Sequence, residues 1–309
     1  MSDLSVLYDA PGPRAKRRNW LYTVLFVAVV VLAAWWVLGI MADKDQLAGN
    51  KWSPFVTDGR VWTTYLLPGL LNTLKAAALS IVIALPVGAL FGIARLSDHR
   101  WISMPAGAVV EFFRAIPVLL LMLFSHEAYA QLTTIEPEIR PLYAVVTGLV
   151  LYNASVIAEI VRAGILSLPH GQTDAAKAIG MRKGQTMSYV LLPQAVTAML
   201  PALVSQLVVI VKDTALGGAL LGFGELLGQI REITANYGAN TIAAFTVVAL
   251  IFILLNFLLT SFASWLEGRI RRGKKSTGAV VAGTPGDTVT GGLAGTGGPT
   301  GGDGDANAG

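Results

Sequence analysis

Six apolar blocks, at residues 20–41, 68–94, 105–131, 141–165, 195–211 and 241–265, run for 17 to 27 residues each, and their length constrains the fold more than any other feature. A helix rises about 1.5 Å per residue, so about 20 apolar residues cross the roughly 30 Å hydrocarbon core of a bilayer. In hydrocarbon every backbone amide must be satisfied within the protein, which leaves helices or closed barrels, and blocks of this length select helices. Only 14% of the 309 residues are charged, against about 25% in an average soluble domain. The expected fold is all-α, a polytopic integral membrane protein with about six transmembrane helices. The Gly- and Leu-rich run at 215–230 is too short and glycine-broken for another crossing, and is expected to turn back at the outer face.

The Lys and Arg residues set the expected topology. Arg14, Lys16, Arg17 and Arg18 precede the first block, which is longer than the apolar part of a secretory signal and lacks a small-residue cleavage site, so it reads as an uncleaved first span. With the N-terminus inside, fifteen basic residues fall on the cytoplasmic side and five outside, which places both termini in the cytoplasm. The expected organisation is a basic N-terminus (1–19), a first span (20–41), an extracytoplasmic loop (42–67), a core of five spans (68–265) and a basic stop with a Gly-rich tail (266–309). Residues 276–309 hold 12 of the 33 glycines and no Lys, Arg or aromatic residue, a composition expected to stay unfolded. The net charge of +4 is a topology signal, and nucleic-acid binding is not expected.

Most enzyme chemistry is excluded by absence. There is no cysteine, and His99, His126 and His170 are scattered, so neither a thiol nucleophile nor a Cys- or His-rich metal site is expected. The stretch 268–275, GRIRRGKK, has Lys275 where a phosphate-binding loop needs Ser or Thr, and it follows a span instead of a strand. Gly222, Gly224 and Gly228 miss dinucleotide-binding spacing by one residue. No cofactor, metal or catalytic residue is expected on this chain.

The loop at 171–195 is polar yet helical in composition. Asp174, Ala175, Ala176, Ile179 and Met181 put small and apolar groups on a short helix flanked by Lys177, Arg182 and Lys183, and Gly180 permits a sharp turn. Such a helix can dock in a partner's groove or lie on lipid headgroups.

Gln172, Asp174-Ala175-Ala176, then Gly180, then Val190-Leu191-Leu192-Pro193, resembles the EAA loop of ABC-importer permeases, with Asp174 in place of Glu. Around it, Gly69-Leu70-Leu71-Asn72-Thr73-Leu74, Glu111-Phe112-Phe113-Arg114 with Pro117, Ala158-Glu159-Ile160-Val161-Arg162-Ala163-Gly164-Ile165 and Lys212-Asp213-Thr214 resemble the polar amino-acid branch (histidine, glutamine, glutamate). Residues 6–13, VLYDAPGP, resemble the glutamate-importer permeases of actinobacteria. Ser205 and Ala215 stand where this branch commonly has Asn and Ser. The resemblance implies a permease of the bacterial cytoplasmic membrane that moves a polar amino acid, glutamate, by alternating access. It implies as partners a second similar permease, two copies of an ATPase that holds ATP and Mg, an extracytoplasmic solute-binding protein and membrane lipid. It assigns Gln172, Asp174, Ala175, Ala176, Gly180 and Pro193 to ATPase coupling. An ion-coupled secondary carrier is the alternative, against which stands the lack of an internal repeat.

Charged groups at bilayer depth cost about 2.5–3.5 kcal/mol on insertion scales, so they usually face a cavity or a partner. Lys212, Asp213 and Thr214 are candidates for the substrate path, a cation for a substrate carboxylate and an anion for its ammonium, or Lys212 and Asp213 form a structural pair. Glu111 and Arg114, three apart, read as an intrahelical pair or as path residues, and Glu159 with Arg162 as a second such pair. Pro86 and Pro117 are expected to kink their spans, and Gly88 with Gly92, and Gly218 with Gly222, to give close helix contacts. Trp20, Trp35, Trp36, Tyr143 and Trp265 read as interface anchors or packing groups.

Overall fold

The computed structural model describes residues 12–274, which form helices with no strand among them. Residues 6–11 of the sequence motif before the first span, and the Gly-rich tail, lie outside the described residues. Among the described residues five helices are long and apolar enough to cross a membrane, or six where one bent pair counts as a single span.

Helix α1, Pro13–Asp43, begins earlier than the apolar block, because Pro13 suits a first helical turn and Arg14, Lys16, Arg17 and Arg18 continue into it. None of its residues is buried. Two short helices, α2 (Gly49–Trp52) and α3 (Pro54–Thr57), lead to a π-helical stretch, Val61–Leu66, that runs straight into α4, Leu67–Ala94. The second span therefore starts at Val61, not at Pro68. A helical proline clashes with the carbonyl four residues earlier, and the wider π winding just before Pro68 relieves this. The same device recurs before Pro193, where the π-helical stretch Thr186–Leu191 precedes its helix.

The third apolar block is not one straight span. It divides into α5, Arg100–Ala115, and α6, Val118–Leu132, whose axes meet at 98°. Ile116, ahead of Pro117, is extended (ψ 129°), as a residue before proline prefers, and two residues cannot turn the helix back into line. Pro86, by contrast, sits within a continuous α4.

Helix α7, Arg140–Leu166, is the centre of the bundle and packs on α4, α5 and α6. Missing side chains set these distances: a Cβ on Gly88 or Gly92 of α4 would lie 2.7 Å from the Ala154 or Ala158 carbonyl of α7, and one on Gly148 of α7 would lie 2.7 Å from the Met122 amide of α6. Close approach through glycine is how membrane helices gain packing energy without a hydrophobic drive.

After α7 come α8 (His170–Ala178), α9 (Lys183–Gln185) and α10 (Leu192–Leu221), then α11 (Gln229–Asn236) and α12 (Thr241–Lys274). Helix α10, which also packs on α7, corrects the expected boundary: it passes the fifth block and ends only where Gly222 takes φ +67°. Residues 215–221 thus belong to this span, and no helix turns back over 215–230. Gly222 serves as the helix stop, so it does not form a packing face with Gly218. The bundle has two ends, one carrying α8 and α9, the other carrying α2, α3 and α11.

Candidate functional site

At the α8 end, Ala176 is buried against the π-helical stretch, which turns Gln172, Asp174 and Ala175 outward. The helix stops in a Schellman motif: the Gly180 amide donates to Lys177 O (2.9 Å) and the Met181 amide to Ala176 O (3.1 Å), with Gly180 at φ +83°. Nothing lies within 4 Å of a Cβ built on Gly180, so the glycine serves the backbone and not a close contact. Ile179 beside it, which the sequence places on this helix but the resemblance does not assign to coupling, is a 79% exposed apolar tip. Pro193 starts α10 and lies outside the exposed surface of α8.

Two ties fasten this segment to the bundle. Lys183 donates through Nζ to Leu96 O (2.9 Å) and pairs with Asp98 in the turn between α4 and α5; the bond from Lys183 holds the Asp98 carboxyl below its ordinary range. Gln194 of α10 donates to Gln172 Oε1 (3.2 Å).

Close by is a five-residue ionic network. Glu159 of α7 accepts from Arg162 (2.7 Å) and from Arg95 at the end of α4 (2.6 Å), and Arg114 of α5 comes within 3.6 Å. Arg95 also reaches Glu111 of α5 at 3.0 Å. The expected Glu159–Arg162 pair is present. Glu111 and Arg114 do not pair with each other, because α5 lies across α4 and α7 and each side chain meets a closer opposite charge on another helix.

The remaining three sequence candidates stand on α10. Lys212 is exposed and lines a cavity of about 560 Å³ between α10 and α12, whose other walls are apolar apart from Asn256. Asp213 is half-buried and makes no ion pair with Lys212. Thr214 is buried and donates to Val211 O at 2.7 Å, which satisfies its hydroxyl within the helix. Successive helical residues point about 100° apart, and of the three only Lys212 faces this cavity. The five proposed path residues therefore fall in two places, the ionic network and the α10 face.

The residues matched by the family of binding-protein-dependent transport system inner membrane components are 84–272, more than half of the chain. The chain belongs to this family. Among the relatives of this permease, the glutamate transport system permease protein GluD of Corynebacterium glutamicum is 47% identical over 76% of this chain and 85% of that protein. The probable glutamine ABC transporter permease protein GlnP of Bacillus subtilis is 30% identical over 66% and 93%. Among solved structures, an amino acid ABC transporter crystallised with histidines matches with a TM-score of 0.61 and 28% identity, over 67% of this chain and 95% of that one. The permease is thus an amino-acid ABC importer permease, a multi-pass membrane protein, and the family match runs from within α4 into α12.

Two polar features of the permease escaped the sequence reading. Asn153 of α7, fully buried, accepts from Gln206 of α10 at 2.5 Å and donates to Leu149 O. Glu225, also fully buried, lies in the turn after α10. A lone carboxylate inside the run at 215–230 was its only signal.

Proposed function

We propose that this permease moves glutamate inward across the cytoplasmic membrane, driven by ATP hydrolysis on a separate subunit that docks on α8. The observation that carries the docking is the shape of α8: a short helix whose small residues Asp174, Ala175 and Ala178 face out beside Ile179, ended sharply by Gly180 and braced to the bundle by Lys183 and Gln172. A small-faced, braced helix transmits displacement, whereas a loose linker would absorb it. The identity to GluD supports glutamate as the substrate.

In this reading ATP and Mg stay on two copies of the ATPase. A second permease chain completes the pore, and an extracytoplasmic binding protein delivers substrate at the α11 end. Both chain termini lie in the cytoplasm, as the distribution of basic residues supports. Lys212 is the residue for a substrate carboxylate, with Asp213 and Thr214 next to it on α10 and Glu111 and Arg114 nearer the inner face. ATP binding favours one of two permease states and so supplies the differential affinity that any shift of conformational population needs.

The test is co-purification with the ATPase and reconstitution in liposomes. Glutamate with its binding protein should stimulate ATP hydrolysis, and uptake should survive collapse of the proton and sodium gradients. Ala178→Trp, projecting from the exposed face of α8 without disturbing the Gly180 turn, should insert normally and lose that stimulation; wild-type coupling in this variant would refute docking through α8.

A further inference from the structure

Glu225 has no counter-ion. Its Oε1 accepts from the Gly228 amide (2.7 Å) and its Oε2 from the Leu227 amide (2.9 Å), while Thr73 of α4 lies 3.4 Å from Oε2. The groups facing it are Thr73 from α4, Gly218 from α10 and the amides of its own turn, and among the described residues no Lys, Arg or His lies within ion-pair distance. Helix α12 contributes apolar Ala243, Ala244 and Val248 to the cluster around the neighbouring Leu226. The carboxyl occupies a slot that exists because residue 218 is glycine: a Cβ there would fall 1.8 Å from Oε1. Thr73 also donates to Gly69 O (3.1 Å) and accepts from the Leu226 amide (3.2 Å). These bonds join α4 to the turn 225–228 that leads from α10 to α11.

A hydroxyl has one hydrogen. While Thr73 gives it to Gly69, its contact with Oε2 is a hydrogen bond only if the carboxyl carries a proton. An ionised carboxylate here would be buried with two backbone amides and no counter-ion, which favours water entry from the adjoining cavity of about 920 Å³, lined in part by Gly218, Gly224, Leu227, Gly228 and the charged Arg231 and Glu232. We propose that Glu225 is a positioning residue whose one carboxyl proton decides whether the turn after α10 is closed on α4 or open to water. Burial pushes this carboxyl up to about 7. A raised carboxyl favours the closed form in mild acid, and that preference is lost as pH rises through this value.

The chain has no cysteine, so a single Gly224→Cys reports on the turn; its Cβ would meet Gln229 at an ordinary 3.4 Å. Labelling by a small water-soluble thiol reagent is measured in membranes holding the full transporter. At each pH it is normalised to Val56→Cys, at a position 88% exposed, to cancel thiol ionisation. The normalised rate should rise about tenfold from pH 6 to pH 8, the change in ionised fraction of one group centred near 7. Glu225→Gln should hold it at the low value throughout, and Gly218→Ala, which expels the carboxyl from its slot, at the high value. A flat wild-type profile, or a pH rise that survives in Glu225→Gln, would overturn the proposal. Should Glu225→Gln fail to reach the membrane, Gly218→Ala decides alone, because a wild-type pH rise in it is incompatible with the slot.

Discussion

Arg95 and Glu159 stand 2.6 Å apart and tie the end of α4 to α7, with the Arg95 side chain only 12% exposed. Because Arg95 also holds Glu111, one guanidinium connects three helices. Arg95→Gln should destabilise the permease by about 1–3 kcal/mol, the range for hydrogen bonds to partly buried charges. Glu111→Gln, whose side chain is 70% exposed, should cost less than about 1 kcal/mol. Thermal unfolding of the two variants in one detergent checks the order, and an equal loss in both would mean that Arg95 contributes nothing through Glu159.

Glycine contacts make a second ranking. Gly88→Ala pushes a Cβ against a backbone carbonyl that cannot step aside, and overpacking of this kind costs about 1–3 kcal/mol. Gly107→Ala meets only Arg95 Nε, at 3.8 Å, and should be close to neutral. The yield and melting temperature of folded protein separate them.

The spans were legible because hydrocarbon imposes a length, and that length is written in residues such as those of α4, α7 and α12. What composition does not encode is direction. The block holding Pro105 and Pro117 has span length and span polarity, yet its halves meet at 98°. Pairing was also hidden: i,i+3 spacing found Glu159 and Arg162, but Arg95, sixteen residues before Glu111 in the chain, becomes the latter's partner only once α4 and α5 fold together. The turn at Gly180 was readable because a glycine closing a small-residue helix is a local signal. Glu225 was not, since its slot is built by Gly218 and Thr73 from other helices.

The α3 and α11 segments meet through Asp58 and Tyr237. The Asp58 carboxylate accepts from the Arg60 amide (2.9 Å) and the Tyr237 hydroxyl (2.8 Å), and these bonds hold it below the ordinary carboxylate range. A depressed carboxyl contributes stability above the unfolded value of about 3.9, lost as pH falls through its lower folded value. Hydrogen exchange in residues 53–60 should therefore stay slow from pH 7 to pH 5 and quicken only below about pH 4, after correction for intrinsic rates. Tyr237→Phe should quicken it at neutral pH, and no change there would remove the hydroxyl from the account.

Lys212 and Thr214 give the sharpest contrast within one helical turn. Lys212 faces an apolar-walled cavity with no ion-pair partner among the described residues, so Lys212→Ala should leave folding intact; under the proposed function it should also lower glutamate uptake about tenfold or more, the loss of one charge-assisted bond worth about 1.5–3 kcal/mol. Thr214→Val leaves the Val211 carbonyl its helical partner and removes only the side-chain bond inside α10, so it should change uptake little. Kinetics of both variants in the reconstituted transporter test this. If Thr214→Val is the more damaging, the functional face of α10 is the buried one, and the cavity beside Lys212 is lipid-facing.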